Sequence, residues 1–110
     1  MSDRAESWKR ASSEIIADCR VFRVREDFSG RESDGKESTF FVIENPDWVN
    51  IIALEKNCGD VVLIKQFRHG TKEVTIEIPG GMIDKSESPE TAARRELLEE
   101  TGFSSDEFVL

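Results

Sequence analysis

A chain of 110 residues has room for one domain with a modest apolar core. Its make-up, 37% hydrophobic and 35% charged, is that of a globular protein, and no apolar run approaches the roughly 20 residues that cross a bilayer. A net charge of −8 is a poor electrostatic match for a nucleic-acid backbone, so neither membrane nor nucleic acid is expected as a partner.

The opening stretch, MSDRAESWKR, is polar and lacks the apolar centre of a signal peptide, which makes the cytoplasm the expected compartment. Residues 1–14 are predicted to be a flexible N-terminus. Residues 15–47 form a β-strand region: IIADCRVFRVRED is strand-like, FSGRESDGKE supplies loop residues with Asp34-Gly35 as a turn signal, and STFFVIE returns. Asn45-Pro46-Asp47 punctuates, because Pro46 cannot donate to a ladder and restricts Asn45.

The region 48–110 opens with WVNIIALE and DVVLIKQFR, which read as a hairpin turning at Gly59. The unbroken apolar run Val61 to Ile64 predicts a strand covered on both faces. EVTIEIP alternates and stops at Pro79, and Gly80-Gly81 permits backbone angles other residues avoid. Ser88-Pro89-Glu90 is a helix start and Gly102 a helix stop, which predicts a helix over 89–101. Phe108-Val109-Leu110 reads as the beginning of a further strand. One helix covers only one face of a sheet, so the chain is expected to be a fragment or to take its missing layer from a partner.

Cys19 and Cys58 have no metal-ligand spacing and His69 is the only histidine, so a Cys/His zinc site lacks ligands. Two free thiols in a reducing compartment are expected. Charge is more telling. Residues 84–107 hold eight acids against three bases, whereas residues 1–25 hold six bases against four acids. At about 100° per residue, Glu96, Glu99 and Glu100 fall within an arc of about 100° on the predicted helix, flanked by Ala93 and Leu97 on the core side. Like charges at i,i+4 repel by a few tenths of a kcal/mol. Two readings stand at this point: a solvated charged face, or carboxylates gathered around a divalent cation.

The stretch GMIDKSESPETAARRELLEETGF, residues 81–103, reads G-x5-E-x7-R-E-U-x-E-E-x-G-U, with U an aliphatic or aromatic residue. Gly81, Glu87, Arg95, Glu96, Leu97, Glu99, Glu100, Gly102 and Phe103 fill every fixed position. This resembles the signature of the Nudix hydrolases and favours the cation reading. The resemblance implies an α+β fold, a Nudix-type α/β/α sandwich with a mixed sheet, preceded by antiparallel N-terminal strands, in a chain that reads as C-terminally truncated. It implies hydrolysis of a nucleoside diphosphate linked to another group, with Mg²⁺ or Mn²⁺ assisting. Glu96, Glu99 and Glu100 are then the catalytic and metal-holding acids, with the Gly80 carbonyl as a further ligand. Gly81, Glu87, Arg95 and Gly102 support the box, Glu87 and Arg95 by pairing with one another.

Upstream, VVLIKQFR and EIPGG resemble the ADP-sugar pyrophosphatase branch, with Gly80 where that branch usually has Ala. The branch implies that Arg68 contacts substrate phosphate and that Asp84 lies near substrate. An Arg fork suits phosphate oxygens. A surface arginine and a turn aspartate are the plain alternatives. Glu77 either braces the site or is the polar face of its strand, and His69 is read as a bystander. Trp8, Phe22 and Phe28 are candidates to stack on a nucleobase, with simple packing the plainer role for each. The branch also implies a homodimer formed through the N-terminal strands, and a general base beyond Leu110. The expected substrate is a nucleoside diphosphate sugar such as ADP-ribose. A house-cleaning hydrolase of nucleoside triphosphates or dinucleoside polyphosphates, and a non-catalytic fragment that only binds metal or self-associates, are the alternatives.

Overall fold

The computed structural model describes residues 5–110, and the chain divides into two compact units, 1–46 and 47–110. The first is an antiparallel meander of β1 (Trp8–Asp18), β2 (Arg23–Arg31) and β3 (Glu37–Glu44), in the order β1-β2-β3. β1 therefore begins within the segment expected to be flexible. Ladder pairing with β2 holds it from Trp8 opposite Arg31 to Asp18 opposite Arg23, with irregularities at Ala11 and Ile16.

Two tight turns break what the sequence pattern joins or misplaces. Arg20 takes a positive φ of 69° and its N–H donates to Asp18 Oδ1 at 3.0 Å, so IIADCRVFRVRED is two strands and not one. β2 continues through Phe28 to Arg31, residues expected in a loop, and the turn comes at Glu32 to Gly35. There Gly35 has φ 74° and Asp34 accepts the Lys36 N–H at 3.0 Å while pairing with Arg31.

One face of this sheet is a polar ladder: Asp27, nearly buried, accepts from Ser13 Oγ at 2.6 Å and from Arg25 Nε at 2.9 Å, and Arg25 also pairs with Glu44. Burying a carboxylate is tolerated only with such partners. Ser13 first, and then Arg25, hold the Asp27 carboxyl below its ordinary value. Phe41 and Ile43, which alternate with that ladder on β3, are well exposed.

In the second unit β4 (Trp48–Asn50) pairs antiparallel with β7 (Gly80–Met82), and β5 (Ile64–Arg68) with β6 (Glu73–Glu77). Among the described residues every strand pairing is antiparallel, so the expected mixed sheet is not formed. The hairpin at Gly59 is present but short: Leu54 and Val61 form a single bridge, closed by Glu55 N–H to Asp60 O at 2.8 Å. Val61 and Leu63 are half exposed, not covered on both faces, among the described residues. Among the described residues Phe108 to Leu110 pair with no strand and are irregular. Phe108 instead packs on the core, with the Arg94 guanidinium 4.6 Å from its ring.

α1 (Pro89–Thr101) ends where local chemistry dictates. Ser88 Oγ accepts the Thr91 N–H at 3.1 Å, and Gly102, at φ 75°, donates to Leu98 O at 2.9 Å. Its apolar face buries Ala92, Ala93 and Leu97. Ala93 and Leu97 join Ile51 in the core, against Val49 and Ala53, which seats the helix on β4 and β7. Ser88→Ala should lower stability by about 1 kcal/mol, the usual cost of an N-cap, read from urea unfolding followed by circular dichroism.

Candidate active site

The site forms where β7 passes under the acidic face of α1. β7 can approach because it begins with two glycines. A Cβ on Gly81 would overlap the Glu96 carboxylate, and one on Gly80 would press on Val49 O and on Asn50 Oδ1, 2.9 Å away. Neither glycine has a positive φ, so the requirement is space and not backbone angle, contrary to the expectation from the sequence. The reward for that closeness is a contact: the Gly80 N–H donates to Glu100 Oε2 at 3.0 Å.

Arg95 organises the acids. Its guanidinium grips Glu87 with two bonds, Nε to Oε1 at 2.7 Å and Nη2 to Oε2 at 2.9 Å. Nη2 also donates to the Met82 carbonyl at 3.1 Å, and Nη1 donates to Glu96 Oε1 at 2.9 Å and, weakly, to Glu99 Oε2 at 3.4 Å. Glu87 accepts the Asp84 N–H at 3.1 Å in addition, which closes the loop between β7 and α1. This bidentate fork draws the Glu87 carboxyl down to about 2, with the Asp84 N–H assisting, and raises the Arg95 guanidinium.

Two cavities flank this arrangement. One, about 270 Å³, is lined by Glu96, Glu100, Gly80 and Gly81, with Arg68, Asp84 and Arg95 among its other walls. The second, about 360 Å³, is lined by Asn50, Glu77 and Ile78. Trp48, Gln66, Arg68 and Gly80 line both. The structure thus brings Glu96, Glu100, Gly80, Arg68 and Asp84 together. Glu99, with its side chain 59% exposed against 14% for Glu96, does not line either cavity. Asp84 stands 3.9 Å from Arg95 and is largely exposed.

Trp48 and Asn50 were missed by sequence reasoning, and Gln66 was read only as part of VVLIKQFR, without a place in the site. The one signal for Trp48 and Asn50 is the two-residue spacing that puts them on one face of a strand, and its partner β7 is known only from the fold. Trp8, Phe22 and Phe28 belong to the first unit, where Trp8 packs edge-on against Phe40 with ring centroids 4.9 Å apart. His69 packs edge-on against Phe67.

Among the described residues no three carboxylate, imidazole or thiolate groups converge closely enough to hold a metal ion by themselves. Mg²⁺ asks for less: one or two carboxylates, completed by water and substrate phosphates. Glu96 and Glu100, oxygen donors on one cavity wall in a cradle that a Cβ at position 81 would fill, fit that demand in kind.

The NUDIX domain family matches residues 44–110. The chain belongs to that family. Among its relatives, the ADP-ribose pyrophosphatase of Bacillus subtilis (strain 168) is 38% identical over 72 residues, 66% of this chain and 38% of that protein. The methanol dehydrogenase activator of Bacillus methanolicus is 31% identical over 99 residues, 90% of this chain and 52% of that protein. A crystal structure of an ADP compounds hydrolase superposes with a TM-score of 0.79 at 27% identity, covering 96% of this chain and 57% of its own. The chain thus spans about two fifths to a little over half the length of these proteins.

The Nudix loop gives a pH prediction. Because the folded state lowers the Glu87 carboxyl from 4.5 to about 2, the ionised form favours folding at neutral pH and this contribution is lost as pH falls from 4.5 towards 2. Thermal unfolding midpoints should drop across that window, and Glu87→Gln should be less stable at neutral pH with a shallower acid slope. An unchanged slope would show that the pair does not couple to folding.

Proposed function

We propose that this Nudix domain serves Mg²⁺-assisted hydrolysis of the diphosphate bond of a nucleoside diphosphate sugar such as ADP-ribose, giving a nucleoside monophosphate and a sugar phosphate. The observation that carries the reading is one cavity walled by Glu96, Glu100, Gly80 and Arg68. It sets acidic oxygen donors beside a guanidinium, the two kinds of group that a metal-complexed diphosphate requires. The names of the Bacillus subtilis relative and of the solved hydrolase support the substrate class.

Glu96 and Glu100 would hold the cation, with Glu99 at the rim and the Gly80 carbonyl as a further donor. A bound divalent ion supplies charge neutralisation at the diphosphate and a lowered pKa for an attacking water. The chain's own residues do the rest. Glu100 is fixed by the Gly80 N–H, and Arg95 holds Glu96 beside β7 while bonding Glu87 of the loop. Arg68 faces the phosphate oxygens as a fork, and Asp84, which lines the same cavity, stands near the substrate. Water adds to phosphorus, the bridging P–O bond breaks, and the two phosphate products leave.

A homodimer through the N-terminal strands belongs to the same reading, supported by the exposed Phe41 and Ile43 of β3. A cytoplasmic setting is supported by two exposed free thiols, Cys19 and Cys58, which suit a reducing compartment.

³¹P NMR of the chain with Mg²⁺ and ADP-ribose should show AMP and ribose phosphate resonances growing at the expense of the diphosphate. Glu100→Gln should abolish this while the fold is retained, because a glutamine oxygen still accepts the Gly80 N–H. Silence from the folded parent chain would overturn the proposed activity for these residues alone.

A further inference from the structure

The register of the β5–β6 hairpin makes the pose of Arg68 anomalous. Arg68 stands directly opposite Glu73, and Ile64 opposite Glu77. On one face of an antiparallel pair the opposed side chains are the natural partners, with Cβ atoms about 5 Å apart, and the diagonal neighbours two residues on are about 7–8 Å apart. Glu77 lies four residues from that opposed position, beyond the ordinary diagonal. Yet Arg68 reaches along the ladder past Gln66 and Thr75 to Glu77, donating from Nε at 3.0 and 3.1 Å and from Nη2 at 2.7 Å. Among the described residues no ion pair joins Arg68 to Glu73.

The consequence is one of place. Glu77 ends its strand three residues before Gly80, so the reach carries the guanidinium from the outer end of the hairpin to the wall of both cavities. The negative charge of Glu100 is felt there: it adds, after Glu77, to the raised pKa of Arg68. Both Glu77 oxygens engage one edge of the guanidinium, while Nη1 has no hydrogen-bond partner among the described residues. A planar fork held by one edge presents the other to an anion with little further loss of rotamer freedom.

We propose that Glu77 is a positioning residue that draws Arg68 away from Glu73 and holds its open edge at the cavity for a diphosphate group. Glu73 is the competing partner, and the Glu77 hold sets the balance. This rests on the phosphate-binding part of the proposed function but not on turnover.

The sign of one measurement separates positioning from simple charge. Glu77→Gln removes a negative charge near the cavity, so electrostatics alone would tighten binding of an anion. Positioning gives the opposite result: Arg68 falls back to Glu73 and the anion loses a charge-assisted fork, weakening binding by about tenfold. Isothermal titration with inorganic pyrophosphate at fixed Mg²⁺ reads this directly, with circular dichroism on each variant. Adding Glu73→Gln to Glu77→Gln removes the competitor and should recover most of the lost affinity, which a merely misfolded variant would not do. Unchanged or tighter binding by Glu77→Gln, or no recovery in the double variant, would overturn the proposal. A parent chain that binds pyrophosphate but does not hydrolyse ADP-ribose would sink the activity and leave this inference standing.

Discussion

The second unit depends on a single guanidinium. Arg95 is bonded to Glu87, Glu96, Glu99 and the Met82 carbonyl, so one side chain ties α1, the loop before it and β7 into one piece. Without it the acids of this segment would repel one another at close range, and the Glu87 carboxylate would lose its tie to the helix. A planar, permanently charged fork is the one side chain able to meet so many acceptors at once; a lysine ammonium would meet them as a point charge. The exposed end of the network adds little energy, but its inner end, with Glu87 and Glu96 mostly covered, sets geometry.

The glycines are the steric counterpart of that electrostatic hold. Arg95 pulls Glu96 down onto β7, and only a residue without Cβ at position 81 leaves space for the carboxylate. Gly80 then comes near enough to give its N–H to Glu100. Charge and space act together: the strand approaches because it has no side chains in the way, and stays because the helix acids have partners on it. The cavity between them inherits acidic oxygens on one wall and Arg68 on another. A substrate that carries both negative charge and a bound cation is the natural complement to such a wall pair.

Much of this was legible from local chemistry. The helix bounds follow from Ser88, Pro89 and Gly102, whose effects act within one turn. The clustering of Glu96, Glu99 and Glu100 follows from the helical period, and the pairing of Glu87 with Arg95 from the box they share. The strands were less legible. The turn at Arg20 uses a residue that carries no turn signal, and its positive φ is held by an Asp18 contact that no pattern announces. Residues 8–14 were expected to be flexible because the ladder partner of Trp8 is Arg31, far along the chain.

The sequence by itself determined that this is a Nudix chain, which residues form the acidic helix, and where that helix starts and stops. Those properties depend on the spacing of residues within a few turns, where backbone geometry leaves few alternatives. Only the tertiary structure decided that Glu96 and Glu100 share a cavity while Glu99 stands outside it, that the paired glycines serve close approach and not backbone angle, and that Arg68 turns to Glu77 instead of Glu73. Each is a contact between segments distant along the chain or offset in register. Such choices are made by strand pairing and packing, which no local pattern encodes.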